Sequence, residues 1–132
     1  MDHKAYDKLL QSHGIGKRLF GSGNLLFDPE FYAPKASDFF DGVRHCKAAL
    51  SGFEYVPHVS DCDNYAFMFF GQMLAYFAEI GGGPWQFGPV WGTLNRETHA
   101  WFFGFPDGEL THVDYGKIIT PVSFTGLGSI SA

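Results

Sequence analysis

The run from Tyr65 to Phe77 (Tyr-Ala-Phe-Met-Phe-Phe-Gly-Gln-Met-Leu-Ala-Tyr-Phe) constrains this chain more than any other stretch. It is apolar almost all round, so a helix formed here must be covered on most sides. It is also too short to cross a bilayer, which needs about 20 apolar residues. The reading that remains is a central helix buried in a globular domain. Its limits are marked on both sides. Ser60 followed by Asp63 has the S-x-x-D form of a capping box and predicts a start near Asp61. Gly81-Gly82-Gly83-Pro84 predicts the stop.

A chain of 132 residues, 45% hydrophobic and 18% aromatic, is long enough to bury such a helix in a single domain without staples. Its net charge of −5 and scattered Lys and Arg argue against a nucleic-acid surface. No window is long and apolar enough for a membrane helix, and Met-Asp-His-Lys does not open a signal peptide. The expected setting is therefore cytoplasmic, with Cys46 and Cys62 as free thiols.

Around the central helix, residues 2–12 carry Tyr6, Leu9 and Leu10 at helical spacing. The glycine-rich stretch 14–24 lacks the pattern of a phosphate-binding loop. A second helix capped by Ser37 turns Phe39, Phe40, Val43, Cys46, Ala49 and Leu50 inward, making Cys46 a packing residue and leaving His45 exposed. Residues 88–94, 98–104 and 109–115 read as an antiparallel meander, with 117–122 a further strand and the Gly/Ser-rich tail from Thr125 frayed. The expectation is an α+β domain in which the buried helix packs on an antiparallel sheet. Residues 1–54 form a helical N-terminal part, 55–122 the core and 123–132 a flexible tail.

Chemistry concentrates at the helix start. Cys62 falls beside the unpaired N–H groups and positive end of the helix dipole, which favour thiolate, while the flanking Asp61 and Asp63 oppose it. A thiol nucleophile needs a base, and the base needs an orienting group. His99 and Asp114 qualify if they share a face of the meander. A four-residue loop at Phe105-Pro106-Asp107-Gly108 sets them directly opposite, and a two-residue Asp107-Gly108 turn makes them diagonal on the same face. A three-residue loop separates them.

The motifs Asp61-Cys62-Asp63-Asn64-Tyr65-Ala66, His99-Ala100-Trp101 and Asp114-Tyr115 resemble the core of papain-like and transglutaminase-like cysteine enzymes. With Tyr55-Val56-Pro57 upstream, they are similar in particular to the papain-like domain attached to a mushroom agglutinin and to small phage and bacterial proteins that share it. The resemblance covers roughly residues 55–120. It implies a papain/transglutaminase-like core with Cys62 as nucleophile, His99 as general base and acid, and Asp114 orienting the imidazole. Agglutinin-type members have Glu-Pro where this chain has Asp114-Tyr115. The implied activity is acyl transfer on a protein or peptide amide, with water giving a peptidase or amidase and an amine giving a transglutaminase. No cofactor is required, though the agglutinin relatives suggest Ca²⁺ held by Asp61 and Asp63; helix capping is the alternative role for these aspartates. A peptidoglycan peptidase of the NlpC/P60 type is a competing reading, although such enzymes usually continue Asp-Cys with Ser-Gly. Another is a non-catalytic phage-type binding or inhibitor protein. A zinc site from Cys62, His99 and His112 is a third.

Overall fold

The computed structural model describes residues 1–57 and 61–132. Among them lie three α-helices, α1 (His3–Ser12), α2 (Ala36–Ala49) and α3 (Cys62–Ile80), and six strands. The strands are β1 (Asn24–Leu26), β2 (Phe87–Leu94), β3 (Glu97–Gly104), β4 (Thr111–Asp114), β5 (Lys117–Ile119) and β6 (Phe124–Ser131).

The helix read from the apolar run is α3, and it buries Tyr65, Ala66, Phe69, Phe70, Met73 and Phe77. Phe67 and Met68 remain nearly half exposed, so α3 is covered on one side rather than on most. Its N-cap is Asp61, whose side chain accepts from the Asn64 backbone N–H while the Asn64 side chain accepts from the Asp61 N–H. The capping box thus sits one residue later than expected, and Ser60 lies outside the described residues. At α2 the cap is likewise displaced, to Lys35. Cys46 is fully buried on its inner face, as its position in the apolar pattern predicts.

The sheet is mixed, with order β1-β6-β2-β3-β4-β5. This corrects the purely antiparallel meander. The hairpins β2–β3, β3–β4 and β4–β5 are antiparallel as read, but β1 pairs parallel with β6, Asn24 opposite Ser129. The tail expected to fray is therefore a strand between β1 and β2. Its glycines sit where the backbone has no room for a side chain. A Cβ at Gly128 would meet the Trp91 ring at 2.5 Å, and one at Gly126 would meet Ile15 at 3.0 Å.

Successive residues of a strand face opposite sides, so the sheet carries two cores. On one side Phe87, Phe102 and Val113 pack against α2 and α3, with Phe39, Val43, Phe69, Met73 and Phe77 among the residues they meet. On the other, Val90, Leu94, Trp101 and Phe103 join Tyr6, Leu10, Ile15, Phe31 and Phe105 around α1. The N-terminal part is thus built into the sheet rather than lying outside it.

Candidate functional site

Strand β3 meets β4 with Phe103 opposite His112 and Gly104 opposite Thr111. Continuing this register places His99 diagonal to Asp114 on one face, the geometry derived above for a two-residue turn. The connection that delivers it is longer, with a 3₁₀ turn at Pro106–Gly108 and Asp107 at φ 49°. His99 Nε2 lies 2.8 Å from Asp114 Oδ1, and both side chains are three-quarters or more covered. With Nε2 engaged by the carboxylate, Nδ1 is the ring nitrogen left for the cleft.

That cleft, of about 250 Å³, is lined by Asp61, Cys62, Asp63, Trp91, Thr98, His99 and Ala100. Cys62, the first residue of α3, is a half-buried free thiol. All three predicted residues therefore come together, since Cys62 and His99 line one cleft and Asp114 holds the His99 ring. A second cavity of about 240 Å³ shares Asp63, Trp91 and Ala100 with this cleft and is walled further by Ala66, Phe67, Pro89 and Val90. The cleft around Cys62 is thus the more polar of the two, with Asp63 common to both.

Tyr115 entered the sequence reading only as the neighbour of Asp114, with no place given to its ring. It and Gly116 form the two-residue turn between Asp114 and Lys117, at φ 48° and 76°. Left-handed backbone costs a non-glycine residue on the order of 1 kcal/mol. In return the phenol ring lies over the site, 4.9 Å from the Tyr65 ring and 6.1 Å from that of His99. Burial first, then the Cys62 and Asp114 charges, push its hydroxyl up to about 12, so it stays a neutral hydrogen-bonding group. The detectable signal was the Tyr-Gly dipeptide between two strands.

Of the aspartates beside Cys62, Asp61 takes the capping role, at the start of α3. Asp63 is held above its ordinary value, first by a hydrogen bond with Asp61 and then by burial. Among the described residues no group of three or more His, Cys, Asp or Glu is arranged to hold a metal ion. Of the residues in the zinc reading, His112 is engaged elsewhere, its Nδ1 accepting a hydrogen bond from Trp101 Nε1 at 3.0 Å.

No protein-family model matches this chain, and no curated protein sequence does. Solved structures do. The "PSL1a-E64 complex" superposes with a TM-score of 0.72 at 16% identity, covering 98% of this chain and 49% of that one. Polyporus squamosus lectin bound to the human-type influenza-binding epitope Neu5Aca2-6Galb1-4GlcNAc follows at 0.68 and 15%, covering 96% and 47%. The fold is shared with lectin chains. This chain spans about half the length of each.

These neighbours correct the resemblance drawn from the short motifs. A papain-like or transglutaminase-like core is replaced by the mixed-sheet fold of the lectin chains, and cysteine-dependent acyl transfer on a protein or peptide loses its support with it. The correction extends to the NlpC/P60 alternative, which rested on the same Asp-Cys motif. Among the described residues, no helix is long and apolar enough to cross a membrane.

Proposed function

We propose that this chain is a carbohydrate-binding module whose ligand cleft is centred on Cys62, His99 and Asp114. The observation that carries the reading is the cleft itself, in which one aromatic wall, Trp91, faces Asp61, Asp63, Thr98 and the Asp114-anchored imidazole of His99. Sugars present apolar C–H faces that stack on aromatic rings and hydroxyl edges that pair with carboxylates, hydroxyls and imidazole. The lectin neighbours support the class of ligand, one of them solved with a sialylated trisaccharide. Calorimetric titration with that trisaccharide and its desialylated form tests the reading. Binding that drops roughly 30-fold or more in Trp91→Ala, the loss typical of an aromatic anchor, is the expected result. Absence of binding to both sugars, or binding indifferent to Trp91 and Thr98 substitutions, overturns it.

The His99–Asp114 bond favours a second role for the same residues. With Cys62 and His99 lining one cleft and Asp114 fixing the imidazole ring, Cys62 is a thiol open to modification by an electrophile. The two free cysteines also fit the reducing cytoplasmic setting expected from the sequence. Iodoacetamide labelling followed by mass spectrometry separates the two thiols: Cys62 labels rapidly and His99→Ala slows it, while Cys46 stays protected. Equal slow labelling of both, unaffected by His99, removes this role.

A further inference from the structure

The functional reading uses His99 and Asp114 but leaves unexplained a buried polar pair immediately behind them. Trp101 and His112 are 1% and 6% exposed, and the indole Nε1–H donates to His112 Nδ1 at 3.0 Å. Two facts tie this pair to the site. Trp101 lies two residues beyond His99 on the same face of β3, and the two rings are nearly parallel, 12° apart with centroids 6.3 Å apart. His112 lies two residues before Asp114 on the same face of β4. The pair thus repeats the His99–Asp114 diagonal one step deeper into the sheet.

We infer that His112 is a positioning residue that sets the orientation of the His99 ring through Trp101. The imidazole of His99 is held at one end by Asp114 and flanked by two aromatic rings, those of Tyr115 and Trp101. Tyr115 sits on a turn, whereas Trp101 is locked in the core. What locks the indole in rotation is its one polar atom, because a buried indole N–H needs an acceptor and His112 Nδ1 is the one it has. His112 is fixed in its turn by the Phe124 ring, edge to face at 4.4 Å. The order of support runs from β6 through His112 and Trp101 to His99.

The role requires neutral His112 with its proton on Nε2, since protonation at Nδ1 would set one donor against another. Burial first, then the charge of His13 at the end of α1, holds the imidazole down to about 4. The acceptor therefore persists across the physiological range. Besides His13 and, two residues along β4, Asp114, the residues placed against His112 are Trp101 and Phe103 on β3, Ile119 on β5 and Phe124 on β6, none of them titratable.

The inference rests on the cleft reading for its purpose, but it is testable without any ligand. The ring nitrogens of His99 are followed by long-range ¹⁵N–¹H NMR over pH 5 to 8 in the wild type, His112→Phe and His112→Asn. Asn offers an amide oxygen near the position of Nδ1, whereas Phe fills the space with no acceptor. The expected result is a shift of the His99 nitrogen signals and titration curve in His112→Phe, with recovery toward wild type in His112→Asn. In the Trp101→Phe background, which has no indole donor to lose, adding His112→Phe should produce no further shift. Unchanged His99 signals in folded His112→Phe overturn the inference, as does an equal shift from His112→Phe in the Trp101→Phe background. Failure of sugar binding with these shifts intact removes the ligand reading and leaves the positioning role standing.

Discussion

The two faces of the sheet are held together in different ways. The face under α2 and α3 is almost entirely apolar, a stack of Phe39, Phe69, Phe77, Phe87 and Phe102 whose rings meet at centroid distances of 4.9 to 6.5 Å. The face under α1 is just as deeply buried but seamed with hydrogen bonds: Tyr6 Oη to Ser131 Oγ at 3.0 Å, Ser129 Oγ to Asn24 Oδ1 at 2.7 Å, and Trp101 to His112. Packing tolerates any residue of suitable shape, whereas a buried hydrogen bond demands its partner in one place. The first face therefore supplies bulk stability, and the second fixes where strands end and which way rings point. The site takes from both, with Cys62 from the helix over the apolar face and His99 and Asp114 from the face that carries the polar seams.

That division can be broken at its strongest point first. Phe69→Ala should cost about 3–5 kcal/mol, because a fully buried ring in a close-packed stack leaves a cavity its neighbours cannot close. Urea denaturation checks it, and a loss near 1 kcal/mol would mean that the apolar face relaxes easily. Next is Gly88→Ala, whose new Cβ would collide with the backbone carbonyl of Ile130 where β2 passes β6. Backbone cannot swing aside like a side chain, so a loss of roughly 1–3 kcal/mol, the usual range for overpacking, is expected in thermal unfolding.

Acid should act on the polar-seamed face. The depressed His112 means that the unfolded chain binds the proton more readily, so its contribution is complete above the ordinary histidine value of 6.5. It is lost as pH falls from there towards about 4. Comparing stability at pH 7 and 4.5 in the wild type and His112→Asn should show a smaller acid loss in the variant; equal losses would place the sensitivity elsewhere. The smallest effect is expected from Tyr6→Phe. It removes one hydroxyl bonded to Ser131, a change of about 1 kcal/mol with the ring packing retained, and double-mutant analysis with Ser131→Ala isolates the pair.

Legibility in the sequence followed the same divide. The helix α3, the buried Cys46 and the shared face of His99 and Asp114 were readable because each depends on local periodicity or on counting outward from a turn. β6 was not, since Phe-Thr-Gly-Leu-Gly-Ser-Ile-Ser has the composition of a loose tail. Its Gly126 and Gly128 answer to close approaches by Ile15 and Trp91 that only the folded chain reveals. β1 was hidden for the same reason, as three residues acquire strand character from a partner far along the chain. At the site, the residues were legible but their company was not. His-Ala-Trp and Asp-Tyr matched a cysteine-enzyme pattern that the lectin neighbours do not sustain, because short motifs record which side chains meet and not which fold brings them together. The Trp101–His112 bond could have been suspected from two aromatic residues at diagonal positions of one hairpin.

The pairing of β1 with β6 has a consequence for the order of events as the chain folds. Asn24 and Ser129 are 105 positions apart, and they form one of the widest loops the molecule closes. The hairpins β2–β3 and β3–β4 can assemble with α3 from a contiguous stretch, each step bringing together residues already near one another. Asp7, Ser22 and Asn24 can make their local bonds early, but β1 has no strand to join until residues 129–131 arrive. Contacts of such separation form slowly and late. The β1–β6 seam, with the Asn24–Ser129 and Tyr6–Ser131 bonds, is thus expected to close after the hairpins, one of which already carries the Trp101–His112 bond.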